Sequence, residues 1–242
     1  MYRVNKNANF LECERWWIYV TLMLVAGFYG AFTYSVRGGV FCNAQTANFV
    51  LFAMSLGNKN WWHALYYFIP MSAYLLGSVI SEIVATPIKR RLHIRWDTVL
   101  ILVEIFAALF LGFLPETAPF QISQVIINFI CSMQYNTFRN AQNIPMATTF
   151  CTNHLRQTGI ALAEVAMHKN TSAAWQRLFA HLQMLITFVI GGICATALCR
   201  FFKGKAIFFT LIPLFIAFFD LLYADLKKEK EKIDQVPRGH QS

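Results

Sequence analysis

Charge is what this sequence has least of. Only 14% of its 242 residues are Asp, Glu, Lys or Arg, against about 25% in a typical soluble domain. That scarcity argues against a water-soluble globule. Acids are rarer than bases, 12 against 21, for a formal net charge of +9. An excess of base raises nucleic acid as a partner. Here the Lys and Arg residues gather in loops and tails, where they set membrane topology. No aromatic–basic RNA motif accompanies them, so no nucleic acid is expected.

Other absences narrow the chemistry. The six cysteines, Cys13, Cys42, Cys131, Cys151, Cys194 and Cys199, contain no CxxC pair. Most fall in apolar runs and read as small packing residues rather than a disulfide frame or zinc site. No His/Cys ligand spacing suggests a metal, and no cofactor is implied. A Gly-rich phosphate loop, a nucleophile elbow and HExxH are all missing, so enzyme activity has no positive support. Residues 1–15 are polar, and the apolar run after them is too long for a signal-peptide core.

What the sequence does have is apolar length. It is 57% hydrophobic, with 23 Phe and a mean hydropathy of +0.44. Several runs reach the roughly 20 residues needed to cross a bilayer. Six spans are expected, at 16–36, 61–85, 98–114, 121–138, 175–199 and 206–225. Trp16-Trp17 and Trp61-Trp62 are interfacial anchors by type. Gly27 and Gly30 offer a small-residue face for close helix packing.

Two interrupted stretches organise the rest. Residues 37–57 read RGGVFCNAQTANFVLFAMSLG, and residues 139–159 read RNAQNIPMATTFCTNHLRQTG. Each follows an apolar run, opens with Arg, breaks at Gly or Pro, and continues into small polar residues. The helical pieces are too short to cross alone. Backbone that leaves regular helix at membrane depth must be buried in protein or line a wet cavity.

The chain therefore divides into a polar lead (1–15), a first membrane repeat (16–114), a second (121–225) and a charged tail (226–242) that reads as a frayed helix. Each repeat has three spans and one re-entrant half-helix. Three is odd, so the second repeat enters the membrane upside down relative to the first. The expected fold is an all-α polytopic membrane protein of six transmembrane helices in two inverted three-helix repeats. Both termini, the basic KRRLHIR loop at 89–95 and the 139–177 region then share the cytoplasmic side. Arg37, Lys59 and the 200–205 turn lie opposite.

Two half-helix N-termini aimed into the bilayer would present unpaired N–H groups and partial positive charge, a site for an anion or polar solute. Candidate lining groups are Thr46, Asn48, Thr149, Thr152 and Asn153, with Gln134 and Asn136 behind them. The same side chains could instead cap the half-helices and bond across helices. Thr46 aligns with Thr152 or with Thr148. Arg37, Arg139 and Arg156 are candidates to gate or attract charge. Arg37 and Arg139 are expected at the interface, and Arg156 could simply pair with Glu164. Glu104 is a candidate for proton coupling, as is His154; His181 also titrates near neutrality by type.

The motifs resemble those of the YoaK-like family of bacterial integral membrane proteins, a family of unknown function, over nearly the whole chain. The first pattern is Gly38, Gly39, Val40, Phe41, then Thr46, Ala47, Asn48. The second is Met133, Gln134, Asn136, Arg139, then Ala147, Thr148, Thr149, Thr152 and Asn153. Ala47 and Asn153 stand where the family pattern has glycine, and Gly30 stands where many relatives carry Asp. The resemblance implies a bacterial inner membrane and names no substrate. The functional expectation is a transporter for a small polar solute, more so an anion, with a channel or a non-transporting scaffold or sensor as alternatives. The expected partners are that solute and the lipid bilayer; self-association into a homo-oligomer stays open.

Overall fold

A computed structural model of the chain describes residues 10–92, 94–167 and 172–238, without the side chains of residues 85–92. It is 80% helical. The helices are α1 (Trp16–Val36), α2 (Gln45–Gly57), α3 (Trp61–Leu92), α4 (Trp96–Phe113), α5 (Phe120–Thr137), α6 (Thr152–Ala166), α7 (Ser172–Phe202) and α8 (Leu211–Tyr223). A 3₁₀ segment, Lys203–Thr210, joins α7 to α8.

Among the described residues, four helical stretches are long and apolar enough to cross a membrane: Trp16–Val36, Trp61–Val84, Trp96–Phe113 and Ser172–Lys228, the last running through α7, the 3₁₀ segment and α8. Helix α5 has 18 residues but is too polar to join them. Helices α2 and α6 have 13 and 15 residues. At 1.5 Å per residue they reach about 20 Å, well short of a hydrocarbon core about 30 Å thick.

The molecule is apolar outside and polar inside. Leu75 on α3, Ile193 on α7 and Ile216 on α8 are 67%, 62% and 59% exposed, whereas Glu104, Gln124, Asn128 and Gln134 are fully buried. A broad apolar exterior of this kind needs lipid around it. The chain is an all-α integral membrane protein.

The most extensive packing is of α1 on α7 and of α3 on α5. Helix α2 folds back on α3, α6 on α7, and α4 meets α8. Glycines permit the two main crossings. A Cβ at Gly191 would strike the Leu24 carbonyl, one at Gly27 the Phe188 carbonyl, and one at Gly77 the Phe129 carbonyl. Backbone meets backbone at all three, as small residues allow in membranes.

At one end of the bundle, residues 10–15, Arg95 and the tail interlock. The Arg95 guanidinium contacts Asp225 at 3.2 Å and Glu229 at 2.5 Å, and donates to the Lys232 carbonyl at 2.8 Å. Thr98 donates to Asp225 at 2.7 Å. The Glu12 amide donates to Glu229 at 2.8 Å, and Lys228 pairs with Glu12. The tail expected to fray is thus docked through residue 232. Asp225 and Glu229 are buried and matched there, while Lys227, Lys228, Lys230 and Glu231 stay exposed. Of KRRLHIR, only Ile94 and Arg95 are described with side chains; the others, like residues 1–9 and 168–171, lie outside the described residues.

A small hairpin interrupts the helices. Strands β1 (Asn140–Ala141) and β2 (Ile144–Pro145) pair antiparallel. Gln142 and Asn143 between them have φ of 50° and 71°, the left-handed pair of a two-residue I′ turn. The Tyr19 hydroxyl donates to the Asn140 carbonyl at 2.8 Å, tying the hairpin to α1.

Two outcomes are expected. Gly77→Leu and Gly191→Leu should each destabilise the protein by about 1–3 kcal/mol or more through overpacking, read as a lower melting temperature in detergent. Gly192→Leu should be tolerated, since a Cβ there meets nothing closer than 3.7 Å. Arg95→Met should cost about 3–5 kcal/mol by stranding two buried carboxylates, and Asp225→Asn with Glu229→Gln in the same chain should recover most of that loss.

Candidate functional site

The chain leaves α1 at Arg37 and turns on Gly38 and Gly39, at φ of 84° and 74°. Both lie in the left-handed region that glycine occupies without strain. A Cβ at Gly38 would also collide with the Tyr66 hydroxyl. The interrupted backbone that follows is satisfied by side chains. Gln124 of α5 donates to the Arg37 carbonyl at 2.7 Å, and Tyr66 of α3 donates to the Gly38 carbonyl at 2.8 Å. Asn48 clamps Phe41 from both sides, donating to its carbonyl at 2.6 Å and accepting from its amide at 3.2 Å. Gln45 donates to the Cys42 carbonyl at 3.2 Å and to Asn128 Oδ1 of α5 at 2.7 Å, and accepts from Asn48 at 3.2 Å.

The second interruption is held the same way. Gln134 of α5 donates to the Thr148 carbonyl at 3.1 Å. His154 Nε2 lies 2.8 Å from the Ala147 carbonyl, which can only accept. With that nitrogen donating, a neutral His154 accepts at Nδ1 from His181 Nδ1 of α7, 2.9 Å away. Two histidines that the sequence offered separately form one buried pair, and it fixes the start of α6 against α7.

The short helices α2 and α6 both begin at one cavity. It has a volume of about 950 Å3. Ala44, Gln45 and Thr46 line it from the start of α2, and Cys151 and Thr152 from the start of α6. Gly27, Gly30 and Ala31 of α1 and Phe188 and Gly192 of α7 form the wall between, with Tyr74 of α3 also present. Neither α2 nor α6 has a side-chain N-cap. Their first N–H groups are therefore free of the side-chain partners that usually cover them.

The sequence-predicted residues are distributed as follows. Thr46 and Thr152 line the cavity. Asn48, Gln134 and His154 are buried and hold the loops around it. Thr149 is buried beside Tyr74. Asn153 accepts from Arg156 at 3.1 Å. Asn136 donates to Glu82 at 3.2 Å, and Arg139 pairs with Glu82 at 3.1 Å, a partly exposed cluster that suits an interface. Glu164 pairs with Arg177 at 3.0 Å. The Arg156–Glu164 pair is thus replaced, because α7 brings Arg177 to Glu164 instead.

Arg37 does not reach out to the surface. It is fully buried, 3.7 Å from Glu116 and 5.6 Å from the centre of the Phe32 ring. The 3₁₀ segment closes over it at Gly204, where a Cβ would overlap the guanidinium. Glu104 of α4 is also fully buried, and neither carboxylate oxygen has a hydrogen-bond partner. It does not line the cavity. Among the described residues no three His, Cys, Asp or Glu side chains come together to hold a metal.

Sequence reasoning counted Asn43 and Gln45 only among the small polar residues of the first interruption and missed Gln124 and Asn128. The signal for the last two was there. Gln124, Asn128 and Ser132 recur every fourth residue, which puts them on one face of α5. All three are fully buried and face the interruption or α3.

The site makes a labelling prediction. In a Cys194→Ala protein, Cys151 should react with a small methanethiosulfonate reagent, while buried Cys13, Cys42 and Cys131 should not. Mass spectrometry of the native protein in detergent reads the difference.

Residues 18–219 match the model of a family described as "Protein of unknown function (DUF1275)". No curated protein and no solved structure matches the chain significantly.

Proposed function

The chain belongs to the DUF1275 family, of which the YoaK-like proteins it resembles are members, and we propose that it is a membrane transporter for a small polar solute, an anion by preference. One observation carries this reading: two half-helices, each starting without a side-chain cap, open on the same 950 Å3 cavity. Free N–H groups and aligned dipoles at helix starts favour negative charge. Thr46 and Thr152 add a hydroxyl from each half-helix.

The proposed architecture is six spans in two inverted repeats, α1–α4 and α5–α8. The helix pairings support it. Exchanging the two sets turns α1 on α7 into α5 on α3, and α2 on α3 into α6 on α7, which are the pairings found. Gly77 and Gly191, on the third helix of each set, meet backbone carbonyls of the first helix of the other. An inverted repeat allows the same site to be served from either side by rocking one half against the other. The proposed topology puts both termini in the cytoplasm. The clustering of residues 10–15, Arg95 and the tail at one end of the bundle, with Arg37 at the far end of α1, is compatible with it.

Proteoliposomes adsorbed on a solid-supported membrane test the reading. A panel of small anions and neutral polar solutes should yield a solute-specific current. The Thr46→Ala/Thr152→Ala protein, folded and reconstituted to the same density, should transport about thirtyfold less, as expected for two lost hydrogen bonds of about 1 kcal/mol each. Electroneutral transport is followed with labelled solute. Absence of flux by both methods overturns the proposal.

A further inference from the structure

The C-terminal end of α1 holds a charge that the fold leaves short of partners. Arg37 is fully buried, and none of its three guanidinium nitrogens has a hydrogen-bond partner among the described residues. Its counter-charge, Glu116, stands 3.7 Å away with its side chain 48% exposed. An ion pair half in water contributes little, whereas a buried cation without hydrogen bonds is costly. The local balance is therefore against this arrangement, and a neighbouring element must hold it in place.

That element is the start of the 3₁₀ segment between α7 and α8. The Gly204 amide donates to Glu116 Oε1 at 2.8 Å. A Cβ at Gly204 would overlap the guanidinium, so the backbone lies directly on it. Lys203 has a φ of 48°, a left-handed conformation that a residue with a side chain keeps only under constraint. Lys203 and Lys205 are both exposed. Further along, the Phe208 ring sits against Gly112 of α4 and 5.1 Å from the Phe113 ring, which anchors the rest of the segment. Strain, tight cover and exposure thus coincide in one turn, Lys203–Lys205.

We propose that this turn is a gate with two positions. Closed, it covers Arg37 and is latched by Glu116 accepting from Gly204. Lifted about Lys203, it lets water reach the guanidinium and supply the missing hydrogen bonds. The charge that the closed position leaves unsatisfied is what favours opening. This goes beyond the transport reading, because the motion needs no solute and would occur equally in a protein that carries none.

Hydrogen–deuterium exchange of the full-length protein in detergent at pH 7, read by mass spectrometry on peptides covering residues 203–207, tests it. Arg37→Met keeps the bulk and removes the charge, so the closed position gains. Exchange in the turn should slow about tenfold or more, a shift of about 1.4 kcal/mol. Gly204→Ala should do the reverse, since its methyl group cannot close over the guanidinium, and exchange should rise about tenfold in this turn alone. Arg37→Ala in the same chain removes the overlap and should restore slow exchange. Unchanged or faster exchange in Arg37→Met overturns the gate. Exchange that rises in Gly204→Ala through α1, α5 and α7 together also overturns it, because the opening is then general unfolding.

Discussion

Backbone polar groups inside hydrocarbon must find partners within the protein, and this constraint shapes the molecule from the inside. The helix breaks after α1 and after α5 leave carbonyls and amides without helical partners, each costing about 2–7 kcal/mol if buried and unmet. Side chains of α5 meet two of them directly, through Gln124 and Gln134, and Asn128 holds Gln45, which meets a third. That duty makes α5 too polar to sit against lipid. It is enclosed instead, with α3 drawn close at Gly77. The glycine crossings, the buried polar stripe and the short helices α2 and α6 are therefore parts of one solution.

The same reasoning explains why the site is wetter in chemistry than its lining suggests. Asn48 and Gln45 are spent on holding the loop, and His154 and His181 on holding the start of α6. With those side chains occupied, the starts of α2 and α6 stay without a side-chain cap beside the cavity. Rigid support and an open electrostatic pole come from different residues within a few positions of each other.

Much of this was legible in the residues. Apolar runs located the long helices to within a few positions, because membrane-length segments are strongly patterned. The interruptions were marked by Gly38-Gly39 and by the polar clusters after them. Thr46 and Thr152 were recognisable as lining groups because they stand at the first turns of the short helices. What could not be read was pairing at a distance. Arg95 and Asp225 are 130 positions apart, and nothing in either local pattern announces the other. Arg37 looked interfacial because a charge at a helix end usually snorkels; only the 3₁₀ segment, 166 residues on, buries it. The Gln142–Asn143 turn was hidden because neither residue is glycine, the usual mark of a left-handed pair.

The interlock at the end of the bundle also sets an order for biogenesis. Arg95 leaves the ribosome long before Asp225 and Glu229 exist. During that interval its guanidinium has no carboxylate, and Glu12 lacks Lys228. The membrane-embedded helices can insert one after another, yet this end of the molecule stays unsealed until the last helix has emerged. A ribosome stalled between residues 100 and 220 would hold a chain whose early helices are in the bilayer but whose Arg95 is still without its carboxylate partners. Quality-control proteases that sense such uncompensated groups would then act on the unfinished chain and spare the completed one.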